Sequence, residues 1–194
     1  GDNTLDFALA AAQTTVTSLL ATDIKIGEDD QTKVDFETAD EIHFYAGNAQ
    51  RFNIDANSRI SLSNNDSGTS NTIFGKSAGA SLDAGSNYNV FIGENVSDAA
   101  MNDAVENTAV GYSALSSLTT GDENTMIGRL AGRDVTTGSG NTMIGSAAGY
   151  QVDGGVAQCV VIGRGALNAQ ATTAANGTVA IGYGAGAAIT SGAG

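Results

Sequence analysis

The chain is poor in the residues that usually build chemical sites. Among its 194 residues it has one cysteine, one histidine and eight lysines and arginines, and it has neither tryptophan nor proline. A single cysteine excludes an internal disulfide framework and a cysteine-based zinc cluster. With a net charge of −13 and no basic stripe, the chain lacks what binding to nucleic acid or to an anionic membrane surface requires. We therefore expect neither partner.

Long apolar stretches are missing as well. The longest runs, such as residues 7–12, are far too short to span a bilayer, so we expect no membrane insertion. The sequence starts at Gly1 without methionine and shows no signal peptide, which indicates an excised fragment of a longer protein.

Few residues are candidates for catalysis. His43 stands between Ile42 and Phe44 in a strand-like segment, so we interpret it as a surface or axial residue and not as a catalytic base. Paired carboxylates about 5–10 Å apart would suit glycoside hydrolysis. The candidate pairs fall in turns or loops, where acids are ordinarily solvated: Asp29 and Asp30, Asp40 and Glu41, Asp122 and Glu123. We predict no enzyme, no catalytic residue and no cofactor, with acids that meet across chains as the alternative.

Metal ligands are equally sparse. No run of residues matches an EF-hand, and the stretch 153–155 lacks the periodic aspartates of calcium-binding β-rolls. A cation on the acidic loop 27–31 is an alternative. We predict no metal site.

What the chain has in abundance is a short repeat. A pentapeptide that ends in an apolar residue and then glycine occurs seven times between residues 71 and 182, and its closing glycines are spaced 17–19 residues apart. So short a repeat cannot bury its own apolar face, so the copies must stack on one another. The leading and closing positions are Asn71 and Gly75, Asn89 and Gly93, Asn107 and Gly111, Asn124 and Gly128, Asn141 and Gly145, Cys159 and Gly163, Thr178 and Gly182.

Each copy predicts one rung of a rod: a strand, a tight corner at the closing glycine with positive φ, a second strand and an outward loop. We expect the leading asparagines to form a buried amide ladder, with Cys159 a buried, unreactive member of the same column. Gly128 and Gly145 should be strained corners, whereas Gly140 should be an ordinary loop residue. At about 4.8 Å per rung, the seven copies would form a section of about 30–35 Å.

Two further segments precede the repeats. In residues 1–22 apolar residues recur at steps of four and three, which predicts either a coiled-coil seam or one amphipathic helix packed on its own domain: Leu5, Leu9, Ala12, Val16 and Leu19. Residues 23–70 alternate polar and apolar residues between turn-rich links, which predicts a small β-module with strands at 24–26, 33–38, 41–46, 51–55 and 59–63. The repeats fill 71–194, where 22 of the 26 glycines lie.

The repeats carry a family resemblance. The run NTAVGYSALSSLTTGDENTMIGRLAG, residues 107–132, resembles tandem repeats of bacteriophage tail fibres, particularly those of marine and cyanobacterial hosts. The closing pentapeptide is similar to the head repeat of trimeric autotransporter adhesins, whose rungs form a parallel β-roll, although the copies here are longer. The resemblance implies a parallel homotrimer in the virion, outside the cell, that contacts a host-surface glycan or protein receptor. Tyr112, Tyr150 and Tyr183 would either stack on sugars or pack along the rung edge.

We therefore expect an all-β fibrous fold: a short N-terminal trimeric coiled coil, a small β-module, and stacked parallel β-roll or β-helix rungs of 17–19 residues in a homotrimer. The expected function is a structural and adhesive segment of a viral tail fibre that attaches to the host surface. Two alternatives stay open. One is a polysaccharide-degrading tailspike with carboxylates between chains, and the other is a trimeric adhesin on a bacterial cell surface.

Overall fold

The computed structural model describes residues 33–35, 42–47, 49–54, 60–62, 70–152, 154–168 and 175–189. These residues form eleven strands and no α-helix, in two compact units, Gly1–Ser61 and Leu62–Gly194. Within this described part, no helix is long and apolar enough to cross a membrane. The predicted coiled-coil seam (Leu5, Leu9, Ala12, Val16 and Leu19), the strand predicted at 24–26 and the acidic loop 27–31 lie outside the described residues.

The strands before the repeats form one four-stranded sheet in chain order. Its members are β1 (Lys33–Asp35), β2 (Ile42–Ala46), β3 (Ala49–Ile54) and β4 (Ile60–Leu62). The pairs β1–β2 and β2–β3 are antiparallel, and the β2–β3 register shifts after Phe44, so that Phe52 faces Phe44 while Gln50 faces Tyr45. Four of the five predicted strands are therefore present, and β3 begins two residues earlier than predicted.

The two faces of β2 differ in burial, and His43 is the buried residue of the strand. Phe44 packs edge-on against Phe52 at 5.1 Å between ring centroids and stays partly exposed. His43 is buried, with the Tyr45 ring 6.2 Å away. The interpretation of His43 as a surface residue is wrong, because successive side chains point to opposite faces and this one points inward, whereas the axial interpretation stays a prediction.

The repeats form a seven-stranded parallel sheet, which confirms the stacked β-solenoid. One strand comes from each rung, and neighbouring strands pair in register over about six turns. Every strand has three residues: β5 (Thr72–Phe74), β6 (Val90–Ile92), β7 (Thr108–Val110), β8 (Thr125–Ile127), β9 (Thr142–Ile144), β10 (Val160–Ile162) and β11 (Val179–Ile181).

The predicted second strand of each rung is wrong. In the described residues the segment after the closing glycine consists of turns, and it is tied to the next rung by single backbone hydrogen bonds such as Gly132 N–H to Ala148 O at 2.9 Å. The reason is the run of positive φ angles there: residues 130 and 132 have φ of 60° and 55°. A strand requires an extended backbone with negative φ.

The core runs along the inside of the solenoid. The middle residue of each strand points inward, and from β6 to β11 it is fully or almost fully buried. The small residue three positions after each closing glycine packs into the same core, as do the apolar residues seven positions after it in several rungs. These columns include Ala114, Ala131, Ala148 and Ala166, and Leu118, Val135 and Val152.

In most rungs the middle strand residue and the residue six positions later fill the same part of the core. Met126 and Met143 fill the strand positions of their rungs, and six residues later stand Gly132 and Gly149, where an added Cβ would collide with the methionine sulfur. Where the strand residue is the smaller Ala109 or Val161, the sixth position holds a buried leucine, Leu115 or Leu167. Core volume is thus conserved within the rung rather than position by position.

Candidate functional site

The corner after each strand is a place where neighbouring rungs approach closely. All seven closing glycines have φ between 126° and 138°. A Cβ on Gly128 would lie 2.6 Å from the carbonyl oxygen of Gly145, and a Cβ on Gly145 would lie 2.7 Å from the carbonyl carbon of Gly163. Since those neighbours are backbone atoms, they cannot move aside without shifting a rung.

The residue just before each leading position also has positive φ, which differs from the expectation for Gly140. That glycine has φ of 70°, yet an added Cβ would meet nothing closer than 3.7 Å. In other rungs the same position holds Ser70, Tyr88, Glu106, Glu123 or Gln158, all with φ between 56° and 60°. Side chains are therefore accepted here, whereas every corner position holds glycine.

The predicted asparagine ladder is present. In four of the five asparagines the amide oxygen accepts two hydrogen bonds from the next one: Asn124 Oδ1, for example, accepts from the backbone N–H and the Nδ2 of Asn141 at 3.1 and 3.0 Å. Each Nδ2 also donates to a carbonyl of its own loop, as Asn124 Nδ2 does to Gly138 O at 2.9 Å. All five asparagines are buried: Asn71, Asn89, Asn107, Asn124 and Asn141.

Cys159 continues this column with a thiol. Its backbone N–H still donates to Asn141 Oδ1 at 3.1 Å, and its Sγ lies 3.2 Å from the carbonyl oxygen of Ala175, where an asparagine would place Nδ2. The side chain is fully buried, and this burial raises the pKa of the thiol. In the next rung the N–H of Thr178 turns back to Ala175 O at 3.2 Å, so the ladder ends at Cys159.

The loop side of the solenoid uses acidic and hydroxyl side chains to hold its backbone. Asp122 Oδ1 accepts from Val105 N–H, and Ser139 Oγ accepts from Asp122 N–H, both at 2.9 Å. Asp83 accepts from Asp103 N–H and from the hydroxyl of Ser86, and the hydroxyl bond holds the pKa of Asp83 below its usual value. The carboxylate pair Asp122 and Glu123 therefore contains one acid with a structural role.

The other candidate acids and metal ligands form no common site within the described residues. Asp29, Asp30, Asp40 and Glu41 lie outside the described residues. Among the residues that the structure describes, no three histidine, cysteine, aspartate or glutamate side chains are grouped closely enough to hold a metal ion.

The outward face of the parallel sheet is an apolar column that sequence reasoning missed. The third residue of each strand points away from the core, and in all seven rungs it is apolar: Phe74, Ile92, Val110, Ile127, Ile144, Ile162 and Ile181. The two end members, Phe74 and Ile181, are 67% and 63% exposed, and Ile127 in the middle is 39% exposed. The alternation within each pentapeptide was the signal that could have revealed this column.

A second feature lies on the turn side, at the first and fifth residues after each corner. Arg133 stacks over the ring of Tyr150 at 3.9 Å and also donates a hydrogen bond to its hydroxyl. The same guanidinium holds Asp134 with two bonds of 2.6 and 2.7 Å. Two rungs further along, Arg164 stands over Tyr183 at 5.6 Å. For Tyr150 the structure thus favours packing along the rung edge over a free stacking surface.

Beside Arg164 and Tyr183 there is a cavity of about 250 Å³. Its other lining residues are Ala147, Gly165, Asn168 and Gly184. The amide oxygen of Asn168 is buried there, and it has no hydrogen-bond partner among the described residues. Tyr183 itself is 80% exposed, and Tyr112, on an earlier rung, is 48% exposed.

Comparison with known proteins identifies no relative. No protein-family model, no curated protein and no solved structure matches the chain.

Proposed function

We propose that this chain is a structural and adhesive segment of a homotrimeric viral tail fibre that attaches to the host surface. The observation that carries the proposal is the apolar column on the outward face of a stacked, parallel solenoid. In a single chain all seven of these residues are exposed or partly exposed. Contiguous exposed apolar surface of this kind marks a surface for association.

The occupant that fits this column is a second copy of the same chain. The column repeats at the strand spacing of about 4.8 Å, so a parallel neighbour offers branched apolar residues at the same heights. Closed rotational symmetry lets each copy use one and the same face. Three copies around one axis would bury three such columns together and make a shaft. In such a trimer the N-terminal seam of residues 1–22 would pair with its copies as a coiled coil.

The turn side would remain on the outside of such a shaft. It carries exposed tyrosines and arginines, and this combination suits recognition of a host glycan or a surface protein. The proposed location is therefore the virion, outside the cell. The same arrangement would serve an adhesin on a bacterial cell surface, and a position of the gene among phage tail genes would decide between the two owners.

The experiment is a binding and cleavage assay on one set of ligands. The full chain is incubated with immobilised bacterial capsules and lipopolysaccharides, bound protein is measured, and new reducing ends are counted in the same wells. We expect retention on one or a few polysaccharides without new reducing ends. Retention on none would remove the glycan-adhesive function, and new reducing ends would show the polysaccharide-degrading tailspike instead.

A further inference from the structure

The positive charges of the repeat section all stand at two positions of the rung, in three of the seven rungs, while the same positions after Gly93 hold Glu94 and Asp98. All four basic residues after residue 70 stand at the first or fifth position after a corner glycine: Lys76, Arg129, Arg133 and Arg164. Three of the four tyrosines after residue 70 stand at these same two positions, Tyr112, Tyr150 and Tyr183. In a chain of net charge −13, such sorting makes the turn side the place where an anionic ligand would meet least repulsion.

The two arginine–tyrosine pairs on this side differ in whether a carboxylate among the described residues neutralises the arginine. Arg133 is neutralised by Asp134 and bonded to the hydroxyl of Tyr150. Arg164 lies 5.6 Å from the centroid of the Tyr183 ring, and no carboxylate pairs with it in the part of the chain that the structure describes. We call Arg164 and Tyr183 the open pair. The open pair can therefore bind a carboxylate from outside.

The cavity beside the open pair exists because two successive rungs lack a side chain at one position. The second residue after each corner has positive φ, and in earlier rungs it is a side-chain-bearing residue such as Ser113, Leu130 or Ala147. In the last two rungs it is Gly165 and Gly184, where an added Cβ would meet nothing within 4 Å. The absence of these two side chains leaves the space between Arg164, Asn168 and Tyr183.

We propose that this cavity binds a carboxylate-bearing sugar residue, such as a uronic acid unit of a host glycan. The guanidinium of Arg164 would bind the carboxylate with two parallel hydrogen bonds. The exposed ring of Tyr183 would pack on the sugar face. Asn168 lines the same cavity, and its amide oxygen, which has no hydrogen-bond partner among the described residues, would accept a bond from a sugar hydroxyl once the side chain turns toward the cavity. At about 250 Å³ the cavity lies below the roughly 300–1,000 Å³ of pockets for drug-sized ligands, so it admits one ring.

This inference rests on the proposed adhesive function and specifies its ligand. The probes are methyl glucuronide and its uncharged counterpart, methyl glucoside, and binding to the full chain is measured by saturation-transfer NMR. We expect the glucuronide to bind at least tenfold more tightly than the glucoside. Equal binding of the two sugars, or no binding of either, would overturn the proposal.

Two variants locate the site. Arg164→Gln should weaken glucuronide binding at least tenfold, and Gly165→Leu should abolish binding of the glucuronide by filling the cavity. The leucine is compatible with the backbone, because Leu130 occupies the equivalent position at φ of 60°. The matched control is Arg129→Gln, which removes an arginine from the same repeat position on a rung without the cavity. Melting temperatures of all three variants verify that they are folded.

The variants also separate this proposal from the proposed function. If Arg164→Gln and Gly165→Leu still bind the glucuronide and the bacterial polysaccharides as the parent chain does, the cavity is not the site while adhesion stands. If the glucuronide binds in the cavity but no polysaccharide is retained, the site stands and glycan adhesion falls. Displacement of the glucuronide by an acidic peptide at equal concentration would show a peptide site instead.

Discussion

The two faces of the parallel sheet follow different rules. On the inward face the middle strand residue changes from rung to rung, from Phe91 to Ala109 to Met126, and all of these residues are fully buried. On the outward face the third strand residue hardly changes: five of the seven are isoleucine, although the column faces water in the single chain. The buried face is thus variable, whereas the exposed one is nearly uniform.

The inward face finds its packing partner inside its own rung. In most rungs the size of the middle strand residue is offset by the residue six positions later. A small strand residue is followed there by leucine, and a large one by glycine or serine. The uniform outward column has no such counterpart within its own rung. A repeated, exposed and uniform apolar column therefore supports the proposed partner, another copy of the chain.

The most severe way to break the stack is a side chain at a corner. Gly128→Val should lower the free energy of unfolding by about 4 kcal/mol or more, since backbone strain of about 1–3 kcal/mol adds to a clash with the next rung. The colliding atom is the Gly145 carbonyl oxygen, 2.6 Å from the added Cβ. Thermal unfolding followed by circular dichroism measures the effect.

Gly140→Gln is the matched control for this prediction. It also places a side chain at positive φ, but Gln158 already occupies the equivalent position with φ of 58°. Its melting temperature should stay close to that of the parent chain. If Gly128→Val melts at the same temperature as Gly140→Gln, the corners are not the close contacts described.

The compensation inside a rung is tested by a double-mutant cycle at residues 126 and 132. Met126→Ala should cost about 2–4 kcal/mol through the cavity that it leaves, and Gly132→Leu should destabilise by colliding with Met126. The double variant copies the Ala109 and Leu115 arrangement of the preceding rung. We expect it to recover a favourable coupling of about 1–3 kcal/mol relative to the sum of the single variants. Additive losses in urea unfolding would refute the compensation.

The asparagine ladder predicts a smaller loss. Asn124→Ala would leave the backbone N–H of Asn141 and the carbonyl of Gly138 buried without partners, at a cost of about 1–3 kcal/mol. Asn102→Ala, at an exposed loop residue, is the control and should change stability by less than about 0.5 kcal/mol. Urea denaturation compares the two, and equal losses would argue against an energetic role for the ladder.

The smallest effect is expected at Cys159. Because the thiol is buried and its pKa is raised, it should react with Ellman's reagent far more slowly in the folded chain than in denaturant. The comparison is made at one pH, so that only folding changes. Rapid stoichiometric labelling without denaturant would place this column in solvent.

The sequence is sufficient to predict the features that repeat, but not those that depend on contacts between particular rungs. Asn124 and Gly128 recur at fixed spacing, so their stacking follows from periodicity alone. The turn after the corner is predicted as a strand, because leucine at position 130 gives no indication in the sequence that its φ is positive. The cavity at Gly165 and Gly184 depends on two absent side chains in successive rungs, and His43 is buried although its pattern allowed either face.

The central claim is that the outward face joins three copies, and the mass in solution tests it most directly. Light scattering on the full chain should give three times the 19.4 kDa of one chain. Ile144→Glu, which places a charge in the middle of the outward column, should lower that mass, whereas Thr137→Glu on an exposed loop should not. A parent chain with the mass of one or two copies, or an Ile144→Glu variant that keeps the full mass, would contradict the account.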